Sequence, residues 1–515
     1  MTSLVKSKSQ ESVNNNVTTS APQPSIRKVL KNAAFMTLFS AQFIENIGRA
    51  VSGLALEFLV FSLTKSPALM GLLAIIWLLP FVVIAPFAGV YTDRLDQRKI
   101  MLVSNILSCF ASIGFLVIYL LSDILTIHTI VTVFLSSGLT VITHQYNYIH
   151  VLWPLFVLCF LNSASAAFFF PARNAYTRLI VKKENLLIAN SIGSTVFQIA
   201  TIVGYVLAGF LASISYLVSF IFDASTFAVS GLLIGLLFFI GKRPPEVERV
   251  KGQTLRSEMK SIKEDLIIGY RTIKDFPKIT YNLIIFAAAT FSFAAINVLF
   301  IVILQGEMHL NSAWYGALQA LMGASGIITS IIFISIGKIK RKIVVMNFAL
   351  LSGMFGMGAF AVVRDRWFMA GIMFLFGIII VCINIPASTL IQETIPYEKQ
   401  GRVFGTQQVV QGIAQLIGMG IVSLIAEFVL PMYVLLASTG ILGITVVSGF
   451  IFSKRRGLMG SDYTESIQKE GIIQGKEPLV DERMPMTGID PTLELDGVDN
   501  KSIITTYGDS DSSLE

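Results

Sequence analysis

Polar and charged residues recur at helical spacing within an apolar stretch near the amino terminus. Gln42, Glu45, Asn46 and Arg49 lie three or four residues apart, so on a helix they form one stripe, which Glu57 continues. In a membrane, an isolated charge costs roughly a few to more than ten kcal/mol, so such a stripe is expected to face a cavity. Glu45 and Arg49 are one turn apart and can neutralise each other, which suits a proton-carrying carboxylate and a structural ion pair equally well.

A second acidic residue, Asp223, stands alone within the apolar segment Phe-Ile-Phe-Asp-Ala-Ser. We expect a role in proton coupling beside Glu45 and Arg49, with a packing role bonded to Ser or a backbone carbonyl as the alternative. Neutral amides elsewhere could hydrogen-bond a substrate in a central cavity, although such amides often only bridge helices. These candidates are Gln42, Asn46, Gln198, Asn297, Gln319, Asn384 and Gln411.

A charged turn joins two long apolar segments at residues 89–99, and a weaker copy follows at residues 337–342. The first copy begins at Gly89 and carries Asp93, Arg94, Arg98 and Lys99. From the residues alone, such a turn is a solvated loop that carries an orientation signal.

The elements that must position these residues are membrane helices. The chain is 54% hydrophobic and 14% charged with a mean hydropathy of +0.71, a composition that excludes an ordinary soluble globule. Its apolar segments have the length of helical membrane spans, and each is too long and too uniformly apolar for a barrel strand. We predict twelve spans at 34–61, 67–91, 99–122, 151–171, 186–212, 215–240, 279–304, 313–337, 342–363, 367–391, 403–429 and 431–452.

Basic residues predict the orientation of these spans, because Lys and Arg collect on the cytoplasmic side. One set of loops carries nearly all of them, whereas the opposite set holds only Lys65, Arg364 and Arg366. Both termini are therefore expected in the cytoplasm. The apolar run from Thr129 to Ile142 is short for a span, so residues 123–150 are interpreted as an extracellular insertion. Its three histidines have no Cys or carboxylate partner at ligand spacing, and a packed cap is favoured over a zinc site.

An internal repeat divides the chain into two pseudo-symmetric six-helix halves. Arg98-Lys99-Ile100 recurs as Arg341-Lys342-Ile343 and Pro171-Ala172 as Pro386-Ala387, at offsets of 243 and 215 residues. The 28-residue difference equals the insertion. We predict a disordered cytoplasmic segment 1–32, an amino-terminal half 33–240, a linker 241–278 with an amphipathic helix, a carboxyl-terminal half 279–453 and an acidic disordered tail 454–515.

At these residues the chain resembles the major facilitator superfamily, in its enterobactin-exporter and macrolide-efflux branch. Besides the charged turn, the resemblance rests on Pro171-Ala-Arg173-Asn-Ala, Leu187-Ile-Ala-Asn190-Ser191, Phe222-Asp223-Ala-Ser-Thr-Phe227 and Gln392-Glu-Thr-Ile-Pro396 with Gly401-Arg402-Val403. The resemblance implies that the charged turn closes the cytoplasmic side, with Asp93 at the amino terminus of a helix in the other half. That helix is expected to begin just after Gly401, so the implied gate comprises Gly89, Asp93, Arg94, Arg98, Lys99 and Arg402.

The function expected from the residues and the resemblance is efflux of a small amphipathic organic compound, driven by a proton or other ion gradient. Export is implied by the resemblance alone. A nucleotide-binding Gly-x-x-x-x-Gly-Lys-Ser/Thr motif is absent, and we expect no cofactor, metal or nucleic-acid partner. The chain is expected to be monomeric in the plasma membrane. A lipid, lysolipid or metabolite transporter and a transport-dead receptor or scaffold are the alternatives; an enzyme built on Ser325 and His309 is disfavoured.

Overall fold

A computed structural model describes residues 25–122, 127–134, 140–147, 149–243, 255–336, 339 and 341–458. Residues 1–24 of the predicted segment 1–32 and residues 459–515 of the predicted tail 454–515 lie outside the described residues. The helices of the amino-terminal half are α1 (Ala33–Thr64), α2 (Pro67–Val83), α3 (Ala85–Arg94), α4 (Gln97–Leu120), α5 (Ile149–Ile180), α6 (Leu186–Ile214) and α7 (Tyr216–Ile240). Those that follow are α8 (Leu255–Asp275), α9 (Pro277–Ile301), α10 (Ser312–Ile336), α11 (Lys342–Val362), α12 (Arg366–Thr394), α13 (Tyr397–Ala426) and α14 (Pro431–Arg455). Shorter helical segments are Ile26–Leu30, Lys183–Asn185 and Val302–Glu307.

The prediction of a polytopic helical membrane protein is confirmed. Within the described residues, eleven helices are long and apolar enough to cross a membrane, and the shorter apolar helix α2 is continued by α3. The second predicted span, 67–91, is therefore not one unbroken helix. Pro80 lies within α2 and Pro86 near the start of α3, and a proline ring removes a backbone donor and clashes with the preceding turn.

Packing within the two halves follows the same scheme. In the amino-terminal half, α1 contacts α6 and α7, while α4 contacts α5 and α7. In the other half, α9 contacts α13 and α14, while α11 contacts α12 and α14. The prolines of the sequence repeat lie in corresponding helices, Pro171 inside α5 and Pro386 inside α12. The most extensive contacts between the halves, α2 with α13 and α6 with α10, are related by the same exchange.

The insertion between α4 and α5 contains an antiparallel β-hairpin. Strand β1 (Ile127–Phe134) pairs with β2 (Thr140–Asn147), with Ile127 opposite Asn147 and Phe134 opposite Thr140. The apolar run from Thr129 to Ile142 thus belongs to two strands and the segment between them. The β-branched residues in this run fit a pleated hairpin better than a helix.

The linker between the halves contains the predicted helix, α8, which packs on α13. A Cβ on Gly269 would lie 2.6 Å from the carbonyl oxygen of Arg402, so only glycine permits this approach. Ile273 is also buried, whereas Tyr270 is 58% exposed.

The two ends of the bundle differ in their charged residues. The basic end carries Arg98, Lys99, Lys342 and Arg402, and the opposite end carries Lys65, Arg364 and Glu427.

Candidate functional site

The polar stripe of α1 joins four helices of the amino-terminal half. Glu45 is 2% exposed and forms an ion pair with Arg49 one turn away. The other carboxylate oxygen of Glu45 accepts a 3.5 Å hydrogen bond from the Ser230 hydroxyl on α7. The Ser230 oxygen in turn accepts a 2.6 Å hydrogen bond from Asn105 Nδ2 on α4. Arg49 Nη1 donates to Asn162 Oδ1 on α5 at 3.3 Å. These five residues, the Glu45 cluster, place a neutralised charge pair inside the half.

Asp223 lies beside this cluster and is fully buried. Its Oδ2 accepts a 2.6 Å hydrogen bond from the Ser112 hydroxyl of α4. A Cβ on Gly48 would lie 2.9 Å from Asp223 Oδ1, so the glycine lets α7 approach α1 closely. The residues predicted for proton coupling, Glu45, Arg49 and Asp223, are thus brought together.

The amides predicted to line the substrate cavity fall into three groups. Gln42 and Asn46 are buried within the half, and neither the Gln42 amide nitrogen nor its oxygen has a hydrogen-bond partner among the described residues. The exposed amides of Asn297 and Asn384 donate to carbonyls of their own helices, while Gln198 is also exposed and Gln411 half-buried. Gln319 donates a 3.4 Å hydrogen bond to the Tyr315 hydroxyl, which in turn donates to Glu57 of the stripe.

A narrow open face runs along α1 toward the opposite end. Between Glu45 and Phe61, only Arg49, Ala50, Gly53 and Glu57 are partly exposed, and they align on one side of the helix. A Cβ on Gly53 would have no other heavy atom within 4 Å. The face therefore borders open space, with a paired cation at one end and Glu57 at the other.

Glu57 links the two halves. Its carboxylate accepts a 3.0 Å hydrogen bond from the Tyr315 hydroxyl on α10. The Tyr315 ring packs against Phe58 on α1 and Phe300 on α9, with centroids 5.5 and 4.9 Å away. None of the ion pairs among the described residues includes Glu57.

Small residues bring α6 and α10 into backbone contact near the opposite end. A Cβ on Gly209 would lie 2.7 Å from the carbonyl oxygen of Ser312 and 3.0 Å from Cα of Gly316. The Ser312 hydroxyl donates to the Gly209 carbonyl at 3.2 Å. Substitution of either glycine would force the halves apart at this point.

A carboxylate from one half caps a helix of the other at the same end. Glu427, just after α13, accepts from the Ser66 hydroxyl at 2.7 Å and from the Ala68 backbone N–H at 3.1 Å. Ser66 is itself the N-cap of α2. A negative charge at the amino terminus of a helix is favoured by the unpaired N–H groups and the helix dipole.

At the basic end, the described contacts of Arg98 stay within its own half. The Arg98 guanidinium donates two hydrogen bonds to the Asp96 carboxylate, at 2.8 and 3.1 Å, and lies 4.7 Å from the Phe238 ring centroid. Burial alone would raise the pKa of Asp96, but hydrogen bonds from the Arg98 side chain and backbone hold this pKa below its usual range. Asp96 also caps α4.

The helix expected to receive Asp93 begins earlier than predicted. Helix α13 starts at Tyr397, so Gly401 to Gly405 lie within it and the predicted start after Gly401 is wrong. A Cβ on Gly401 or Gly405 would meet nothing within 4 Å. Arg402 pairs with Asp265 of α8 at 2.8 Å. Helix α3 carries Gly89, Asp93 and Arg94, but the side chains at these positions are outside the described residues. Lys99 is exposed. The cytoplasmic gate therefore stays a prediction.

Sequence reasoning missed Tyr315 and Glu427 as contacts between the halves. Glu57 stood on the predicted stripe but had no predicted partner. Its partner, Tyr315, is 258 residues away in the sequence, and a lone tyrosine in a span gives no signal of this pairing. Glu427 had a visible cue, because an acidic residue at the end of a span can cap the start of another.

Comparison with known proteins agrees with this architecture. Residues 38–419 match the model of the Major Facilitator Superfamily. An uncharacterized MFS-type transporter of Bacillus subtilis is 26% identical, covering 76% of this chain and 87% of that protein. Macrolide efflux protein A of Streptococcus pyogenes is 22% identical, covering 82% and 96%.

Solved structures show the same fold at low identity. A mutant of a peptide transporter POT superposes with a TM-score of 0.62 at 13% identity, covering 85% of this chain and 98% of that one. A bacterial homologue of the iron transporter ferroportin in the inward-facing state gives 0.61 at 14% identity, covering 82% and 99%.

Proposed function

The chain belongs to the major facilitator superfamily, and from that premise we propose that it is a proton-coupled exporter of a small amphipathic organic compound working by alternating access. The family makes it an integral membrane transporter. Efflux is supported by the relative named macrolide efflux protein A. In this proposal the basic end faces the cytoplasm, the protein works as a monomer in the plasma membrane, and the ion gradient supplies the energy.

The arrangement of the contacts between halves carries the proposal. The described contacts run from Glu427 and Ser66 at the opposite end to Val82 with Gly412 and Ile202 with Gly323 near the middle of the helices. Toward the basic end, Gly401 and Gly405 face open space. Two rigid halves that pack at one end can rock about the middle of the membrane, so a solute between them is exposed to one side at a time.

Buried carboxylates provide the coupling in this proposal. Glu45 has a partner, Arg49, that also binds Asn162, so a change in either contact alters the charge balance of the pair. Asp223 accepts a hydrogen bond from the neutral Ser112 hydroxyl and also interacts with the neutral Ser52 hydroxyl. A proton that moves onto one of these groups would change how the half packs.

Flux in proteoliposomes tests the proposal. A macrolide antibiotic on one side should drive proton movement through the wild type, and Glu45→Gln or Asp223→Asn should abolish it. Glu307→Gln is the matched control, because Glu307 pairs with Arg364 at the outer surface of one half. If both substitutions leave substrate accumulation and the pH change intact, these residues do not couple transport. A thermal-shift screen against macrolides, siderophores and lysolipids selects the substrate class for the assay.

A further inference from the structure

An apolar groove with a volume of about 650 Å³ lies between α4 and α7 of the amino-terminal half. Two glycines of α7 recess its floor. A Cβ on Gly235 would meet nothing within 4 Å, and one on Gly231 would meet only the Asn105 Cβ, at 3.9 Å. The rims carry large apolar side chains, among them Phe110 and Phe239, which are 66% and 88% exposed. On membrane-spanning helices, such a surface faces the lipid chains.

The groove is as long as one leaflet of a bilayer. It runs along α4 from Leu102 to Ile113, about 16 Å at 1.5 Å per residue. Half of a hydrocarbon core of about 30 Å is about 15 Å. Leu102 lies in the second turn of α4, so the groove starts near the basic end and stops near the middle of the membrane. One acyl chain of the leaflet at the basic end therefore matches its length.

Two lysines stand at the basic end of this groove. Lys99 is exposed and shares a helix face with Ile106, which lines the groove two turns farther along. Lys242 is exposed and directly follows the end of α7. These two helix ends are adjacent, since the Arg98 guanidinium lies 4.7 Å from the Phe238 ring centroid. None of the ion pairs among the described residues includes Lys99 or Lys242.

The headgroup, rather than the chain, must decide which lipid occupies the groove. Chains in the surrounding bilayer are as apolar as the groove, so apolar contact alone gives little selection. Asp96, the acidic residue beside Lys99, is already paired with Arg98. The uncompensated charge at this end is therefore positive, and it is complementary to the phosphate of an anionic lipid.

The comparable groove of the other half lacks this arrangement. It lies along α14, and α11 borders it only at Met354. Met354 is about 18 Å from the start of α11 at 1.5 Å per residue. The α11 residues Ile343, Met346 and Leu350, which lie closer to the basic end, are buried. A chain in that groove would not be held between two helices as it approached the basic end.

We propose that the groove between α4 and α7 binds an anionic phospholipid from the leaflet at the basic end. Its acyl chain lies over Gly231 and Gly235, and Lys99 and Lys242 bind its phosphate. Asn105, which belongs to the Glu45 cluster, lines the groove, so the bound chain covers the lipid-facing side of that cluster. The site lies within one half and does not depend on the proposed transport function.

Binding of phosphatidylglycerol to the purified, delipidated full-length protein tests this site. Native mass spectrometry compares it with phosphatidylethanolamine that carries the same acyl chains. The wild type should bind phosphatidylglycerol at least about tenfold more tightly, because two basic side chains meet its net charge. Lys242→Gln should weaken phosphatidylglycerol binding about fivefold and leave phosphatidylethanolamine binding unchanged. Lys454→Gln, which removes an exposed cation at the end of α14, should change neither affinity.

A second variant fills the groove without changing its charge. Gly235→Leu should keep the unfolding temperature of wild type, because a Cβ there meets nothing within 4 Å, yet bind phosphatidylglycerol at least about fivefold more weakly. Gly440→Leu is the matched control. Gly440 lines the groove along α14, and a Cβ there also meets nothing within 4 Å. Wild-type affinity in Gly235→Leu would place the lipid elsewhere and overturn the site.

Cys109 reports whether the chain occupies the groove. It lines the groove and is half-buried, and its thiol donates to the Ala224 carbonyl at 3.5 Å. In a Cys382→Ser background, where Cys159 is fully buried, phosphatidylglycerol should slow alkylation of Cys109 at least about threefold. Unchanged alkylation would overturn the site. Equal affinity for the two lipids would show that the groove accepts a chain without reading charge, and would overturn recognition of an anionic headgroup.

Discussion

The helix pair formed by the second span and α13 differs sharply between its two ends. At the opposite end, Glu427 caps α2 and a Cβ on Gly71 would collide with Ser423. At the basic end, Gly401 and Gly405 of the same helix face open space. The carboxylate-to-helix contact predicted for the basic end is therefore seen, with different residues, at the other one. A carboxylate thus caps a helix of the other half at the opposite end, while the same kind of contact at the basic end stays a prediction.

Among substitutions that test this difference between the two ends, Gly316→Leu is expected to have the largest effect. The added side chain would collide with α6 at Gly209 and destabilise the packed opposite end by about 1–3 kcal/mol, the usual range for overpacking. Spin labels at Ser213 and Tyr433, exposed on the two halves at that end, should report a larger fraction of long distances in a cysteine-free background.

Gly371→Leu is the control for this substitution, since a Cβ on Gly371 would meet nothing within 4 Å. An unchanged distance distribution in Gly316→Leu would mean that the α6–α10 contact does not hold the opposite end closed.

Asp96→Ala should affect stability at the basic end without opening the bundle. The substitution removes the N-cap of α4 and the ion pair with Arg98, which should lower the free energy of unfolding by about 1 kcal/mol. Because the pKa of Asp96 is lowered in the folded protein, its stabilisation is fully present above the ordinary aspartate pKa of about 3.9 and disappears as the pH falls through the lowered value. Thermal unfolding from pH 7 to 3 should show the variant's deficit shrinking.

The spin-label distances should be the same in Asp96→Ala and wild type, because the described contacts of Asp96 lie within one half. A shift in these distances would place Asp96 in the closure between halves.

Glu427→Gln should loosen the opposite end by no more than about 1 kcal/mol, since a charge at an exposed helix terminus contributes little. The long-distance population should rise slightly, and the rise should vanish at high salt, where wild type already lacks most of this attraction. Glu307→Gln serves as the control, because its ion pair with Arg364 lies within one half. A salt-independent rise in Glu427→Gln would point to a steric cause.

The smallest effect is expected from Asp265→Asn, which breaks the half-exposed pair with Arg402. Exposed ion pairs contribute roughly 0–1 kcal/mol. The spin-label distances and the unfolding temperature should both match wild type within error. A marked change would show that α8 controls the basic end through this pair.

The sequence predicted the helices well, because long apolar runs have few alternatives in a membrane. It did not predict the break between α2 and α3, although Pro80 and Pro86 mark the place. The stripe placed Glu45 and Arg49 correctly, since their pairing is local to one helix. The partners of Glu57 and Glu427 are set by how two halves meet, which no short-range spacing encodes.

The seating of α8 on α13 has a practical consequence for spectroscopy. Gly269 and Ile273 attach the linker helix to the carboxyl-terminal half, while Tyr270 projects outward. In the proposed rocking of the halves, a dye attached at Tyr270 would therefore report the movement of the carboxyl-terminal half. Paired with an acceptor on the exposed Arg178 of the amino-terminal half, it would follow this proposed movement in single molecules without a label between the halves.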